Sequence, residues 1–483
     1  MNRAIRRLSL LVGVLFIALL ININVQQVLL ANDIRNKPGN QRTVLEEYDK
    51  ERGPILVGSA PVARSIPTQD QYNFLRVYSS GPQYAPITGF YSLVYGATGI
   101  ERAENSVLAG TSDLFFVDRI QELLSGRSPK GGAVELTINP KAQQAAFSGL
   151  SGKIGSVTAI NPQTGEILAM ASSPSYNPNL LSSHDQTAIQ KYYEALEADP
   201  NKPLLNRSLV SNPPPGSTFK LVTTAAALDS GRFTPQTVIP GPATYKLPGT
   251  NVTLKNWQGT ECGPGGKVTL ERALEVSCNS AFAWLGNQLG QSALNAAAEK
   301  FGFNSGFSVP MRSATSQYPS DLDAAQTAMS AIGQYNVTAT SLQMAMVGAA
   351  VGNGGVTMNP YLVKDIRGAD LQVVQTASPS SFKRALSPDR AAQEIGMMVG
   401  VVEDGTGSNA QIPGVKVGGK TGTAETGPGR PAVAWFVAVA PADAPRVAVA
   451  VTIENAGGKA EVSGNGLAAP IAKAVIEAVL NGQ

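Results

Sequence analysis

The sequence predicts an α+β fold, and three observations support this class. Residues 155–160 and 166–171 are strand-like and flank a turn that contains Asn, Pro and Gly, which is a β-hairpin pattern. Residues 433–440 and 446–453, near the other end of the chain, form a second pair of strand-like runs. The sequence between the two pairs is mostly helical. Strands at both ends of a helical region indicate a sheet that is completed late in the chain.

The composition describes a globular protein with a substantial core, since 43% of the residues are hydrophobic and only 15% are charged. A chain of 483 residues is too long for one typical domain, so we expect two. The net charge of +3 is too small to indicate nucleic-acid binding, and no basic run is interleaved with aromatic residues. With one histidine and two cysteines, a zinc site made of these residues is nearly excluded, and we expect no metal and no cofactor.

The N-terminus has the pattern of a membrane-inserted segment. Three arginines precede an apolar run that reaches Ile21 and continues, interrupted by two asparagines, to Leu30. Arginines on this side favour an orientation with the N-terminus inside the cell and the rest of the chain outside. The strictly apolar part also fits a signal-peptide core, but no clear small-x-small cleavage site follows, so we favour an uncleaved anchor. On either interpretation the rest of the chain is exported.

We divide the chain into four parts. Residues 1–30 are a cytoplasmic tip and transmembrane anchor, and the polar residues 31–50 are a linker. Residues 51–150 contain short apolar runs broken by Gly and Pro and no catalytic cluster, which predicts a small, strand-rich, non-catalytic domain. Residues 151–483 contain both strand pairs and the helical region and form the α+β domain.

The most informative stretch is Pro214-Pro215-Gly216-Ser217-Thr218-Phe219-Lys220. The prolines and the glycine end the preceding structure, and a helix-compatible apolar run begins at the serine. Residues three apart lie on one helix face, so Lys220 would reach back toward the Ser217 hydroxyl. A serine nucleophile needs a base, and a lysine serves as one only if burial or a nearby cation lowers its pKa. Ser-x-x-Lys alone is a weak signal, because a capped helix with a solvated lysine has the same pattern.

A second segment, Ser277-Cys278-Asn279, lies within helix-like sequence. Its serine and asparagine do not share a helix face, so the triplet fits a turn between helices that presents both side chains to a cleft. By itself this pattern also arises by chance. Its middle residue and Cys262 are the only cysteines, and we favour a disulfide between them in an exported chain, with two reduced, buried thiols as the alternative.

A third segment, Gly418-Gly419-Lys420-Thr421-Gly422-Thr423, completes a formal P-loop pattern that starts at Gly414. A P-loop follows a hydrophobic strand and precedes a helix, and this segment has neither neighbour. We therefore interpret it as an edge strand whose Lys420 faces a cleft, with Gly422 leaving room for a substrate backbone. The lone histidine, His184, permits a Ser-His-Asp triad, but we expect it to be a surface residue.

Ser-x-x-Lys, Ser-x-Asn and Lys-Thr-Gly, in this order on an exported chain, are a highly specific combination. The sequence resembles the class B penicillin-binding proteins, and most closely their short actinobacterial branch, the penicillin-binding protein A type. The likeness extends to residues 165–170, 173–179, 206–207, 332–334, 350–355 and 434–436, and to Arg52-Gly53-x-Ile55 and Gly99-Ile100-Glu101. The resemblance implies a penicillin-binding/β-lactamase-like transpeptidase domain, an antiparallel sheet with helices on both sides, preceded by the smaller domain.

The activity implied by this resemblance is that of a serine-type peptidoglycan D,D-transpeptidase, which cross-links stem peptides during growth or division and is a target of β-lactams. Ser217 would attack the carbonyl of the penultimate D-alanine, with Lys220 as general base. Ser277 would relay the proton to the leaving group and Asn279 would orient Lys220. Lys420, a second cation in the cleft, would help to keep Lys220 neutral.

The resemblance also implies binding residues and partners. Thr421 and Thr423, beside Gly422, would hold the substrate carboxylate, and the N–H groups of Ser217 and Thr423 would form the oxyanion hole. No glycosyltransferase sequence is visible, so a separate glycan polymerase is the expected partner. A hydrolase of the same superfamily and a non-enzymatic scaffold or β-lactam sensor are the alternatives. We favour the transpeptidase because an anchored two-domain chain is unusual for a hydrolase and the catalytic positions are intact.

Overall fold

The computed structural model describes residues 3–26, 48–116, 130–425, 431–456 and 462–482. Its first helix, α1 (Arg3–Asn24), is long and apolar enough to cross a membrane, and its apolar side chains are exposed. This helix fits the predicted anchor. The end of that anchor, after residue 26, and the predicted linker as far as residue 47 lie outside the described residues.

The remaining strands and helices differ widely in length, from two residues in the shortest strand to 16 in the longest of these helices. The strands are β1 (Ile55–Val57), β2 (Ala60–Pro67), β3 (Phe74–Tyr78), β4 (Tyr91–Ser92), β5 (Gly96–Ala97), β6 (Ala133–Leu136), β7 (Ile154–Ile160), β8 (Ile167–Ser173), β9 (Val238–Pro240), β10 (Thr244–Lys246), β11 (Thr253–Lys255), β12 (Lys267–Thr269), β13 (Val356–Met358), β14 (Val363–Arg367), β15 (Val373–Thr376), β16 (Ser381–Arg384), β17 (Gly418–Ala424), β18 (Val433–Ala440) and β19 (Val447–Asn455). The helices are α2 (Gly81–Thr88), α3 (Gly99–Ala103), α4 (Asn105–Leu108), α5 (Pro140–Gly149), α6 (Gln186–Ala198), α7 (Arg207–Val210), α8 (Lys220–Asp229), α9 (Leu270–Glu275), α10 (Asn279–Leu289), α11 (Gln291–Phe301), α12 (Ala324–Ser330), α13 (Ser341–Gly352), α14 (Pro388–Glu403) and α15 (Ala469–Leu480).

A five-stranded antiparallel sheet with the order β17-β18-β19-β7-β8 forms the centre of the larger domain. The two predicted strand pairs are joined because β19 pairs with β7. Helices α5 and α15 pack on one face, and α13 packs on the other. β18 is buried along its whole length, which explains why its sequence is a continuous apolar run rather than an alternating one. The predicted α+β class, an antiparallel sheet with helices on both sides, is confirmed.

A six-stranded sheet with the order β15-β14-β6-β1-β2-β3 forms the centre of the smaller domain. Its strands pair antiparallel except for β1 and β6, which run parallel. The β14-β15 hairpin reaches this sheet from late in the chain, a contribution that the sequence did not predict. Helix α5, which the predicted boundary at residue 150 assigns to the smaller domain, packs on β8 and α15 of the larger one.

The buried carboxylate of Glu101 links the segment around Glu101 to the segment around Arg52. Glu101 accepts hydrogen bonds from Arg52 at 2.6 Å, from Arg76 at 2.7 Å and from the Tyr78 hydroxyl at 3.1 Å. Arg52 also lies over the ring of Tyr91, 4.3 Å from its centroid. Burial alone would raise the pKa of Glu101, but the two guanidinium groups outweigh it and the pKa is lowered. The two segments that carry the resemblance in this domain therefore meet in one ion-pair cluster.

Candidate active site

Ser217 lies in a 3-10 turn, Gly216–Phe219, directly before α8. Gly216 has a φ of 53°, a conformation that favours glycine, and its N–H donates to the carbonyl of Gly333 at 3.0 Å. A Cβ on Gly333 would lie 2.1 Å from the Gly216 carbonyl oxygen, so the two backbones approach too closely for a side chain. The Trp435 indole donates to the Pro214 carbonyl at 2.9 Å on the approach to the turn. The serine is thus held on a fixed backbone, and the predicted start of the helix is confirmed.

Lys220, the first residue of α8, is fully buried. Its Nζ donates to the Ser277 carbonyl at 2.8 Å, to Asn279 Oδ1 at 2.8 Å and to Ser277 Oγ at 3.2 Å. The helical spacing predicted that Lys220 would reach back toward Ser217. Within the described residues its hydrogen bonds go instead to the Ser-x-Asn turn. The strong acceptors of that turn set the direction of the side chain, and these acceptors are distant in sequence.

Ser277 lies between two lysines. Residues 276–278 separate α9 from α10, as predicted for the triplet, and Ser277 has a φ of 57°, which breaks the helical path. Its Oγ accepts hydrogen bonds from Lys220 Nζ at 3.2 Å and from Lys420 Nζ at 2.9 Å. Asn279, the first residue of α10, turns its Oδ1 to Lys220 and donates through Nδ2 to the Lys255 carbonyl at 3.2 Å.

Lys420 is fully buried on β17, the outer strand of the five-stranded sheet. In addition to the Ser277 hydroxyl, its Nζ donates to the Thr421 carbonyl at 3.0 Å. Because the segment is a strand paired with β18, the P-loop alternative is excluded and the predicted edge strand is confirmed. The structure brings the five predicted catalytic residues together: Ser217 lies one turn before Lys220, Lys220 contacts Ser277 and Asn279, and Lys420 contacts Ser277.

Burial lowers the pKa of both lysines. The pKa of Lys220 is lowered well below its usual value, mainly by desolvation and further by the positive charge of Lys420. Desolvation also lowers the pKa of Lys420, to about 7. An amine whose charged form is disfavoured meets the chemical requirement for a general base.

The three predicted binding residues follow Lys420 along β17. The Thr421 hydroxyl lies 2.7 Å from that of Thr406, a residue that the sequence analysis missed. A Cβ on Gly422 would lie 3.0 Å from the Pro215 carbonyl oxygen and 3.0 Å from Thr218 Cγ2. The same Cβ would lie 2.9 Å from Trp435 Cβ, so glycine at this position is required by the packing of β17 against β18 and the serine turn, and room for a substrate backbone beside it stays a prediction. The side chain of Thr423 is exposed at the edge of the strand.

Cys262 and Cys278 form a disulfide, with 5.9 Å between their Cα atoms, so the favoured expectation is confirmed. The bond attaches the loop after β11 to the middle residue of the Ser-x-Asn turn. Asn256, which the sequence analysis also missed, braces the same turn, since its Oδ1 accepts from the Ser280 N–H at 2.9 Å and its Nδ2 donates to the Thr260 carbonyl at 2.9 Å. A single asparagine in a polar loop carries no periodic signal that would have identified it.

His184 belongs to the junction between the domains. Its Nδ1 contacts the Asp70 carboxylate, and its ring lies 4.7 Å from that of Tyr72. The side chain is 14% exposed, so the predicted surface histidine is partly buried rather than fully solvated. Its carboxylate partner comes from the smaller domain, and within the described residues it has no contact with Ser217, which excludes the triad alternative.

Family matches agree with this geometry. Residues 155–477 match the family described as penicillin binding protein transpeptidase domain, and residues 52–134 match the penicillin binding protein A dimerisation domain. The chain belongs to the penicillin-binding protein transpeptidases, and the predicted class, a serine-type peptidoglycan D,D-transpeptidase of class B, is confirmed.

Similar proteins identify the branch within this family. The peptidoglycan D,D-transpeptidase PbpA of Mycolicibacterium smegmatis is 44% identical, with 99% of each chain covered, and PbpA of Mycobacterium tuberculosis is 42% identical over the full length of both. The structure of penicillin-binding protein A from M. tuberculosis as a ceftriaxone acyl-enzyme matches with a TM-score of 0.88 and 42% identity, covering 90% of this chain and 100% of that one. Its penicillin G acyl-enzyme matches with a TM-score of 0.85 and 42% identity, covering 89% of this chain and 100% of that one.

Proposed function

We propose that this chain cross-links peptidoglycan stem peptides through an acyl-enzyme formed on Ser217. The observation that carries the proposal is the Ser277 hydroxyl, which lies within hydrogen-bond distance of two buried lysines. A hydroxyl that can accept one proton while it donates another forms a short proton path between the base and the leaving group.

Acylation begins with Lys220 in its neutral form. The two N–H groups of a neutral amine would be used by the Ser277 carbonyl and by Asn279 Oδ1, both at 2.8 Å, which leaves the lone pair for the Ser217 proton. Ser217 Oγ attacks the carbonyl carbon of the penultimate D-alanine as Lys220 takes this proton. The proton then passes through the Ser277 hydroxyl to the amide nitrogen, the C–N bond breaks, and the terminal D-alanine leaves with a free amine.

Transfer follows the reverse path with a second stem peptide. Its amine attacks the ester carbonyl, the bond from that carbon to Ser217 Oγ breaks, and the proton of the amine returns to Ser217 through Lys220. The product is a peptide bond between the stems and a free serine.

Charge and position support the predicted binding residues. Lys420 has a pKa of about 7, and a substrate carboxylate beside it would stabilise its charged form. We assign the carboxylate to the hydroxyl groups of Thr421 and Thr423. A Cβ on Gly216 would lie 3.1 Å from the Thr423 carbonyl oxygen, so the serine turn and the edge strand adjoin. This proximity supports an oxyanion hole made by the N–H groups of Ser217 and Thr423.

A donor–acceptor assay tests the proposal. The full chain in detergent is incubated with a stem pentapeptide donor and an excess of an amine acceptor, beside Ser217→Ala. We expect the cross-linked product and free D-alanine from the wild type and neither from the variant. If the wild type releases D-alanine and yields only the hydrolysed tetrapeptide at saturating acceptor, the hydrolase alternative replaces the transpeptidase.

We further propose that α1 anchors the chain in the membrane with its N-terminus inside and the catalytic domain outside. Its arginines precede the apolar residues, which supports this orientation. Protease treatment of intact spheroplasts should remove a C-terminal tag and spare an N-terminal one; the opposite pattern would contradict the orientation.

A separate glycan polymerase remains the expected partner, and a cross-linked pull-down without any polymerase would count against it. The division into domains of residues 51–150 and 151–483 also remains a proposal, and the packing of α5 favours a boundary before residue 140.

A further inference from the structure

The loop after α14 makes a contact with the Lys-Thr-Gly strand that the mechanism above does not use. Thr406 Oγ1 lies 2.7 Å from Thr421 Oγ1, and Lys420 Nζ donates to the same Thr421 oxygen at 3.5 Å. A threonine hydroxyl has one proton and two acceptor lone pairs. If Thr406 and Lys420 both donate to Thr421 Oγ1, its lone pairs are occupied and its own proton is free to bind an anion.

Thr406 is itself held by the helix that leads into the Ser-x-Asn turn. Its backbone N–H donates at 3.1 Å to the carbonyl of Glu275, the last residue of α9. A Cβ on the neighbouring Gly405 would lie 2.5 Å from that carbonyl oxygen, and a Cβ on Gly400 would lie 2.5 Å from Glu275 Oε1. The end of α14 and the end of α9 therefore meet without space for a side chain between them, which fixes the position of Thr406.

We propose that Thr406 is a positioning residue that orients the Thr421 hydroxyl so that its proton points to the substrate carboxylate. This inference rests on the proposed function of Thr421 and adds a residue to it. The backbone bond to Glu275 holds Thr406 beside the turn, and its hydroxyl proton sets the direction of the hydrogen bond to Thr421. The same residue thus connects the side of the cleft that carries Ser277 with the side that carries Lys420.

Two substitutions separate the hydroxyl from the rest of the side chain. Thr406→Val keeps the shape and the backbone N–H but removes the proton donor, whereas Thr406→Ser keeps the donor. The probe is benzylpenicillin, and the second-order rate constant of acylation is measured by intact mass on the full chain in detergent. We expect Thr406→Val to acylate about tenfold more slowly, the effect of one lost hydrogen bond, and Thr406→Ser to stay within about twofold of the wild type. Wild-type rates in Thr406→Val, or equal losses in both variants, would overturn the inference.

A double-mutant cycle tests whether Thr406 acts through Thr421. If it does, Thr406→Val in a Thr421→Val background causes no further loss, because the hydroxyl to be oriented is absent. A loss of similar size in both backgrounds would overturn the inference, whether it arises from a general change in the fold or from direct contact with the ligand. The wild type serves as the reference for the proposed function. If the wild type is not acylated on Ser217, the proposed function is wrong. If it is acylated normally and Thr406→Val has no effect, only the inference about Thr406 is wrong.

Discussion

Replacing Lys420 by methionine tests the electrostatic relation between the two buried lysines. The substitution removes a cation and keeps a side chain of similar length. The Nζ atoms of Lys420 and Lys220 both contact the Ser277 hydroxyl, at 2.9 Å and 3.2 Å, so the two nitrogens lie no more than about 6 Å apart. At an effective dielectric constant of about 20, two unit charges at about 6 Å repel each other by about 3 kcal/mol. Because the pKa of Lys420 is about 7, this repulsion acts on Lys220 mainly below that pH.

The expected result is a shift of the acid limb of acylation to higher pH. Without the repulsion the pKa of Lys220 rises, so the neutral base is lost at a higher pH as the solution is acidified. The assay is the second-order rate constant of acylation by benzylpenicillin between about pH 5 and pH 10, with the midpoint of the acid limb as the readout. We also expect a lower maximal rate, because the proposed carboxylate site lies beside Lys420, and for this reason the midpoint of the limb is the readout.

Lys191→Met on the exposed surface of α6 is the control, since it removes a lysine outside the site. We expect its profile to match that of the wild type. A Lys420→Met profile that is lower but has the wild-type midpoint would refute the reasoning, because desolvation alone would then account for the lowered pKa of Lys220.

The other predictions concern stability. Glu101→Gln leaves two buried guanidinium groups without a counter-charge, and we expect a loss of about 3–5 kcal/mol and a lower melting midpoint; an unchanged midpoint would contradict a buried ion-pair cluster. Between the lowered pKa of Lys220 in the folded protein and 10.5, the unfolded chain binds one more proton than the folded one. The free energy of unfolding of the wild type, relative to that of Lys220→Met, should therefore rise as the pH approaches 10.5. A difference that does not change with pH would argue against the lowered pKa. Replacing both Cys262 and Cys278 by serine opens a loop with a separation of 16 residues and should lower the free energy of unfolding by about 3 kcal/mol. A reductant should lower the melting midpoint of the wild type but not that of this double variant. A wild type whose midpoint is insensitive to reductant would contradict the disulfide.

The sequence predicted those parts of the site whose signals are local. Pro and Gly before Ser217 mark the start of a helix. Ser277 and Asn279 are two residues apart and cannot lie on the same helix face, which indicates the turn at Ser277. Continuous apolar runs identify the central strands because both faces of the sheet are covered. Each of these patterns depends on neighbouring residues, and each was found where predicted.

Contacts between distant segments were not predictable in this way. The direction of Lys220 depends on acceptors 57 and 59 residues away along the chain, and a Cβ at position 422 would clash with Trp435 and with the serine turn at Pro215. The β14-β15 hairpin joins the sheet of the smaller domain although nothing in its own sequence specifies a partner. The contact of Thr406 with Thr421 is of the same kind, since folding brings together two hydroxyl groups that are 15 residues apart in the chain.

The most direct test of the central claim is the intact mass of the full chain after incubation with benzylpenicillin, beside Ser217→Ala. The account predicts one stable adduct on the wild type, located on the peptide that contains Ser217, and none on the variant. An adduct on Ser217→Ala, or an unmodified wild type whose fold is intact by circular dichroism, would contradict the assignment of Ser217 as the nucleophile.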